Sequence, residues 1–176
     1  MKPALLLAVV FLITSFNFFA QSNDSLKVNS ITQEIKYKNQ IISASISMAD
    51  VIKRIGSPDR IAQIDHKDRY FIFDKIGMTF DVNQSGLIDA LIINFNSFSG
   101  NNSPKKKFKG TLVIDSMVVV ESSTVIEIKS RTKIKNMLCI SKKQCLTDTK
   151  SPTIFLMVGY NQESLINKMM FGFKRS

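Results

Sequence analysis

A chain of 176 residues is long enough for one domain or two small repeats. Its 24 Lys and Arg against 14 Asp and Glu give a formal charge of +10, which speaks about solubility and partners rather than about fold. One His, two Cys and no Trp leave a thin inventory for catalysis, which needs a positioned base, nucleophile or metal.

The N-terminus reads as an export signal. Met1-Lys2-Pro3 supplies one positive charge, Ala4 to Ile13 is unbroken apolar chain, and the segment closes near Phe18-Phe19-Ala20 before turning polar at Gln21-Ser22-Asn23-Asp24. That is the three-part layout of a secretory signal peptide. Thr14, Ser15 and Asn17 interrupt the run, and a membrane span needs about 20 apolar residues, so cleavage between Ala20 and Gln21 is expected over retention as an anchor. No Cys at that point offers a lipid anchor, and no later stretch is long and apolar enough to span a bilayer. The mature chain is expected in the periplasm or secreted. Loss of Lys2 leaves 23 basic residues against 14 acidic ones, a charge of +9. An exported protein rarely meets nucleic acid, so acidic proteins, anionic lipid headgroups or surface polysaccharide are the expected partners, against a solvated basic surface with none.

Residues 21–30 read as a flexible polar lead-in. Ile31, Gln33, Ile35 and Tyr37 then alternate apolar and polar, Lys38-Asn39-Gln40 marks a turn, and Ile42, Ala44 and Ile46 resume the alternation, so 31–46 is expected as a hairpin. Ser47 with Asp50 three residues on has the form of a capping box, and Met48, Val51, Ile52 and Ile55 make one apolar stripe. Gly56 and Pro58 end that helix. Strands follow at Arg69 to Phe73, Met78 to Val82 and Leu87 to Phe95, the last two joined by Asn83-Gln84-Ser85-Gly86. The helix stripe is expected to pack on a sheet face bearing Ile72, Leu91 and Ile93. Residues 96–107 are rich in turn formers and charge, a natural boundary.

Beyond it the order of elements recurs. Leu112-Val113-Ile114, a turn at Asp115-Ser116 and Met117 to Val120 echo the hairpin, and Thr124 with Glu127 offers a second capping box, although the β-branched Val125, Ile126 and Ile128 also suit a strand. Asn161 to Ile166 and Met169 to Phe173 align with Asn83 to Ile88 and Leu91 to Phe95 at an offset of 78 residues. The expected fold is α+β, two tandem hairpin-helix-antiparallel-sheet repeats over residues 31–100 and 101–176, with the helices packed on sheet.

Cys139 and Cys145 form a close pair that is expected as a disulfide in an oxidising compartment, since a metal site would need two more soft ligands nearby. His66 stands among Asp65, Lys67 and Asp68, where carboxylates flank an imidazole, yet the segment lies between a helix stop and a strand and reads equally as a polar loop. No phosphate-binding glycine loop or nucleophile-elbow serine is present, and no cofactor is expected. Lys105, Lys106, Lys107 and Lys109, with Phe108 inside the run, are the candidate contact for an anionic surface, or else a solvated loop.

The segment Ser47 to Asp59, followed by Tyr70-Phe71-Ile72-Phe73 and Met78-Thr79-Phe80-Asp81-Val82, resembles the small lipoprotein of the outer-membrane β-barrel assembly machine and the β-lactamase-inhibitor proteins that share its helix-then-sheet unit. The resemblance covers about residues 45 to 95. It implies a short helix ending in Gly-x-Pro with an antiparallel sheet packed on it, and a binding role toward another envelope protein. The functional expectation is a non-catalytic extracytoplasmic protein-binding module of the bacterial cell envelope. The alternatives are a periplasmic enzyme using His66 and its neighbouring acids, or a binder of anionic lipid or polysaccharide through Lys105 to Lys109.

Overall fold

The computed structural model describes residues 24–63, 68–96, 101–134, 136–147 and 154–173. Among these, 50 % lie in strands or bridges and 11 % in helix. The α+β expectation is corrected accordingly: the protein is mostly β, two sheets with two short helices, and it is not a pair of tandem α+β repeats. Two physical reasons account for the difference. The apolar residues are largely β-branched or aromatic and alternate with period two, which suits pleated, half-buried chain. The hydrogen-bond ladders also cross the expected boundary, so each sheet draws strands from both halves of the chain.

The strands are β1 (Ser25–Asn29), β2 (Glu34–Tyr37), β3 (Gln40–Ile42), β4 (Arg60–Gln63), β5 (Arg69–Phe73), β6 (Met78–Val82), β7 (Ile88–Asn94), β8 (Thr111–Ile114), β9 (Met117–Val119), β10 (Met137–Ser141), β11 (Gln144–Thr147), β12 (Ile154–Tyr160) and β13 (Ile166–Phe173). The helices are α1 (Met48–Ile55) and α2 (Val125–Arg131). The smaller sheet has the order β3-β2-β1-β8-β9 and the larger β10-β11-β12-β13-β7-β6-β5-β4. Residues 25–29, expected in a flexible lead-in, instead form the middle strand of the small sheet, parallel to β8 with Leu26 opposite Leu112. In the large sheet β7 and β13 pair antiparallel, Leu91 opposite Phe171, and join two four-stranded meanders.

One core cluster lies between the sheets. Leu26, Ile35, Tyr37, Leu112 and Ile114 of the small sheet belong to the same buried cluster as Phe80, Leu91, Ile93, Val158 and Phe171 of the large one. Met48 and Val51 of α1 and Val125 and Ile128 of α2 join it, with Ile52 and Ile55 half-buried against it. Leu91 and Ile93 are thus in the core that α1 helps to close, as expected. Ile72 is not: it is buried on the opposite face of β5, because its neighbours Phe71 and Phe73 take the inward positions of a period-two strand.

Local chemistry explains the elements. Ser47 caps α1 by accepting from the Asp50 N–H at 3.1 Å. Thr124 and Glu127 form a reciprocal capping box on α2, 3.2 Å and 2.7 Å, which decides between helix and strand for its β-branched residues. Lys38 and Asn39 both take positive φ, 51° and 64°, the two-residue turn that matches strand twist. The turns before β7 and β13 share their bonding: Asn83 accepts from the Leu87 N–H at 3.2 Å and Asn161 from the Leu165 N–H at 2.9 Å. The common 78-residue offset therefore reflects like turns feeding two strands of one sheet.

Candidate functional site

The two faces of the large sheet differ in kind. Its inner face meets the core, whereas its outer face carries a row set by register: Ile72 opposite Thr79, Thr79 opposite Ile92, Ile92 opposite Met170, Met170 opposite Met157, Met157 opposite Leu146 and Leu146 opposite Leu138. Directly opposed residues share a face and touch, so these side chains form one apolar stripe. Ile72, Thr79 and Ile92 are buried, Met170, Met157 and Leu146 are half-buried, and the stripe ends at β10, where Leu138 is 66 % exposed and Ile140 61 %.

Among the described residues β10 is an edge strand, with β11 as its only neighbour in the sheet order. The sequence Met-Leu-Cys-Ile-Ser holds no charge and no Pro to blunt the edge, and its one irregularity is the register shift between Cys139 and Ser141 that leaves Ile140 unopposed. Its hold on the sheet is covalent. Cys139 and Cys145 are joined by a disulfide, S–S 2.01 Å and Cα–Cα 3.8 Å, as directly opposed residues of β10 and β11. Cys145 is buried in the core and Cys139 is exposed.

The surroundings are basic. From Ile128 to Leu146 the sequence contains Lys129, Arg131, Lys133, Lys135, Lys142 and Lys143 and no Asp or Glu. The Lys129 Nζ lies 3.8 Å from the Cys139 Sγ, and Lys142 and Lys143 form the tip of the β10–β11 hairpin. Among the described residues, Lys129, Lys142 and Lys143 are exposed and enter no ion pair. Among the described residues, this arrangement presents a strand edge with no neighbour, two exposed aliphatic side chains and lysines outside any ion pair together.

The other expected residues fall elsewhere. Lys105, Lys106, Lys107 and Lys109 are exposed on the connection from β7 to β8, with Lys107 paired to Glu121 at 2.6 Å, while Phe108 is buried and its N–H donates to the Asn94 carbonyl at 2.7 Å. That connection is firmly held. Arg60 pairs with Asp74 at 2.9 Å and donates to the carbonyls of Asn101 and Ser103, and Asp74 accepts from the Lys105 N–H at 2.6 Å. The Arg60 hydrogen bond holds the Asp74 carboxyl below its ordinary range against the opposing effect of burial. His66, Ala20 and Gln21 lie outside the described residues. Among the described residues no cluster of His, Cys, Asp and Glu has the form of a metal site, and no helix is long and apolar enough to cross a membrane. Sequence reasoning missed Leu138 and Ile140; the available signal was the uncharged pentapeptide between two basic runs.

Comparison with known proteins identifies a family. A domain of unknown function, DUF7738, matches residues 27–129. No curated protein matches the chain. Among solved structures, a cysteine-rich secretory protein from Staphylococcus aureus is similar with a TM-score of 0.48 and 14 % identity, over 76 % of this chain and 44 % of that one. An extracellular protein containing an SCP domain from Bacillus anthracis is similar with a TM-score of 0.45 and 7 % identity, over 74 % and 43 %. The chain thus spans less than half the length of either. The matched family is not that of the assembly-machine lipoprotein or the β-lactamase inhibitors, and that resemblance is corrected. A capped helix stopped by Gly56 and Pro58 is a local device available to any fold, and here it leads into a sheet shared by both halves of the chain.

Proposed function

We propose that this chain, which belongs to the DUF7738 family, is a non-catalytic protein-binding module that works outside the cytoplasm. The observation that carries the reading is the β10 edge, an uncharged strand with Leu138 and Ile140 exposed. An unguarded edge is either an aggregation hazard or a template for another chain's strand. Here a disulfide ties Cys139 to the directly opposed Cys145 of β11, next to the register shift at Ile140. The extracytoplasmic half of the reading is supported by the apolar run at residues 4–13, with its polar exit at Gln21, and by that disulfide, since such bonds persist in oxidising compartments.

The test places a photo-crosslinking side chain at residue 140 in cells that export the protein, with the equally exposed Ile31, on the turn after β1, as control position. The expected result is a protein adduct at 140 and none at 31. Absence of any protein adduct at 140 overturns the reading, and recovery of polysaccharide or lipid through Lys105 to Lys109 would replace it.

A further inference from the structure

Resting on that reading, we infer that the β10 edge takes an extended, acidic segment of its partner by strand addition. Three features of the same strand converge. The first is the backbone. Opposed residues of an antiparallel pair alternate between wide hydrogen-bonded and narrow non-bonded spacings, and the 3.8 Å separation of Cys139 and Cys145 marks the narrow kind. The N–H and C=O of Cys139 therefore point away from β11, toward the free edge. A segment laid beside β10 meets a donor and an acceptor already aimed at it, on a strand whose ordering cost the disulfide has reduced.

The second feature is side-chain alternation. Leu138 continues the outer-face stripe that begins at Ile72, and Ile140, left unopposed where the register shifts between Cys139 and Ser141, exposes a second aliphatic side chain next along the strand. An added strand would place every other side chain on that stripe, so the segment is apolar at alternate positions. The third is charge. Lys129 stands beside Cys139 on one side, and Lys142 and Lys143 stand at the hairpin tip on the other, while Glu127, two residues before Lys129, is engaged in the α2 capping box. Carboxylates between the apolar positions complement them. The same charges argue against a second copy of this chain: antiparallel β10–β10 pairing would bring the basic stretch that precedes β10 toward Lys142 and Lys143 of the other copy, in a molecule that keeps a charge of +9 after export.

The test uses the full disulfide-bonded chain and a blocked octapeptide alternating valine with glutamate, followed by fluorescence anisotropy. Its comparators are the same peptide with lysine for glutamate and one N-methylated at alternate amides. The acidic peptide is expected to bind at least about tenfold more tightly than the lysine peptide, and N-methylation on the edge-facing side is expected to abolish binding. Leu138→Glu, and separately Lys142→Glu with Lys143→Glu, should each weaken binding by about tenfold; the lysine pair is exposed, so it serves if Leu138→Glu misfolds. Binding indifferent to N-methylation or to peptide charge overturns the inference. So does a concentration-dependent dimer that Leu138→Glu dissolves, which would assign the edge to a second copy. If no peptide binds while residue 140 still crosslinks a protein, strand addition by an acidic segment fails and the binding-module reading stands; if residue 140 crosslinks nothing, the broader reading falls.

Discussion

Asp115 occupies a left-handed turn position, φ 57°, between β8 and β9, and its carboxylate ties that turn to two distant backbone segments. It accepts from the Ser30 N–H at 2.9 Å, the Ser30 hydroxyl at 2.8 Å and the Lys133 N–H at 2.7 Å. Burial opposes its ionisation, but the N–H groups of Lys133 and Ser30, the Ser30 hydroxyl and the Lys133 charge outweigh it, and the carboxyl is held below its ordinary range. A folded value below the unfolded one stabilises the protein fully above about pH 4, and that contribution disappears as pH falls through the folded value. Urea melts from about pH 7 down to about pH 3 should show the natural chain losing more stability than Asp115→Asn; a constant gap between the two would refute the assignment. Thr79 behaves oppositely. Its hydroxyl is buried between Ile72 and Ile92 and has no hydrogen-bond partner, so Thr79→Val, nearly isosteric, should raise stability by about 1 kcal/mol in the same melts.

At the scale of elements, α2 depends on its cap more than on propensity. Only seven residues long and rich in β-branched side chains, it is too short to be stable alone. Thr124→Ala removes one half of the reciprocal box and should cost about 1 kcal/mol in thermal or urea unfolding. The β7–β8 connection makes a stricter demand at Gly77, whose φ is 75° and where a Cβ would lie 2.2 Å from the backbone nitrogen of Phe108. Backbone cannot yield as a side-chain tip can. Gly77→Ala should therefore displace the 101–108 segment as well as straining the turn, at a cost of about 2 kcal/mol or more, with faster amide exchange at Phe108 as the local sign. This segment reads in the sequence as a free boundary, since turn formers and charge dominate it. What holds it are Arg60, Asp74 and Gly77, far from it along the chain, whose roles no local pattern discloses.

For the whole molecule, the crossing of both sheets between the halves predicts cooperative behaviour. Without β13 and β8, residues 21–100 would leave β7 and β1 with open edges and Leu91, Ile93 and Leu26 short of core partners. That fragment is expected to remain unfolded by circular dichroism, while the full chain unfolds in one transition. An independently folded fragment would contradict the shared-sheet architecture. Replacing Cys139 and Cys145 by Ser should lower stability by about 2 kcal/mol, the chain-entropy estimate for so short a loop. It should also fray β10 first, because that strand has a neighbour on one side only.

The sequence by itself determined the elements whose signals are local. The capping pairs at Ser47 and Thr124, the turns at Lys38-Asn39 and Asn83 to Gly86, the strands around Phe71, Phe80 and Leu91, and the close cysteine pair all follow from spacings of a few residues, where backbone geometry and side-chain chemistry are fixed together. It did not determine which strands became neighbours. The parallel union of β1 with β8 and the seam of β7 with β13 join residues about 80 apart, and apolar alternation says that a strand has an inward face without saying whose face it meets. For the same reason Ile72, as apolar as Phe71, lies outside the main core, and Leu138 and Ile140, as apolar as any core pair, are exposed on β10. Tertiary structure alone decided that this strand is an edge, because being an edge is a property of the neighbours a strand lacks.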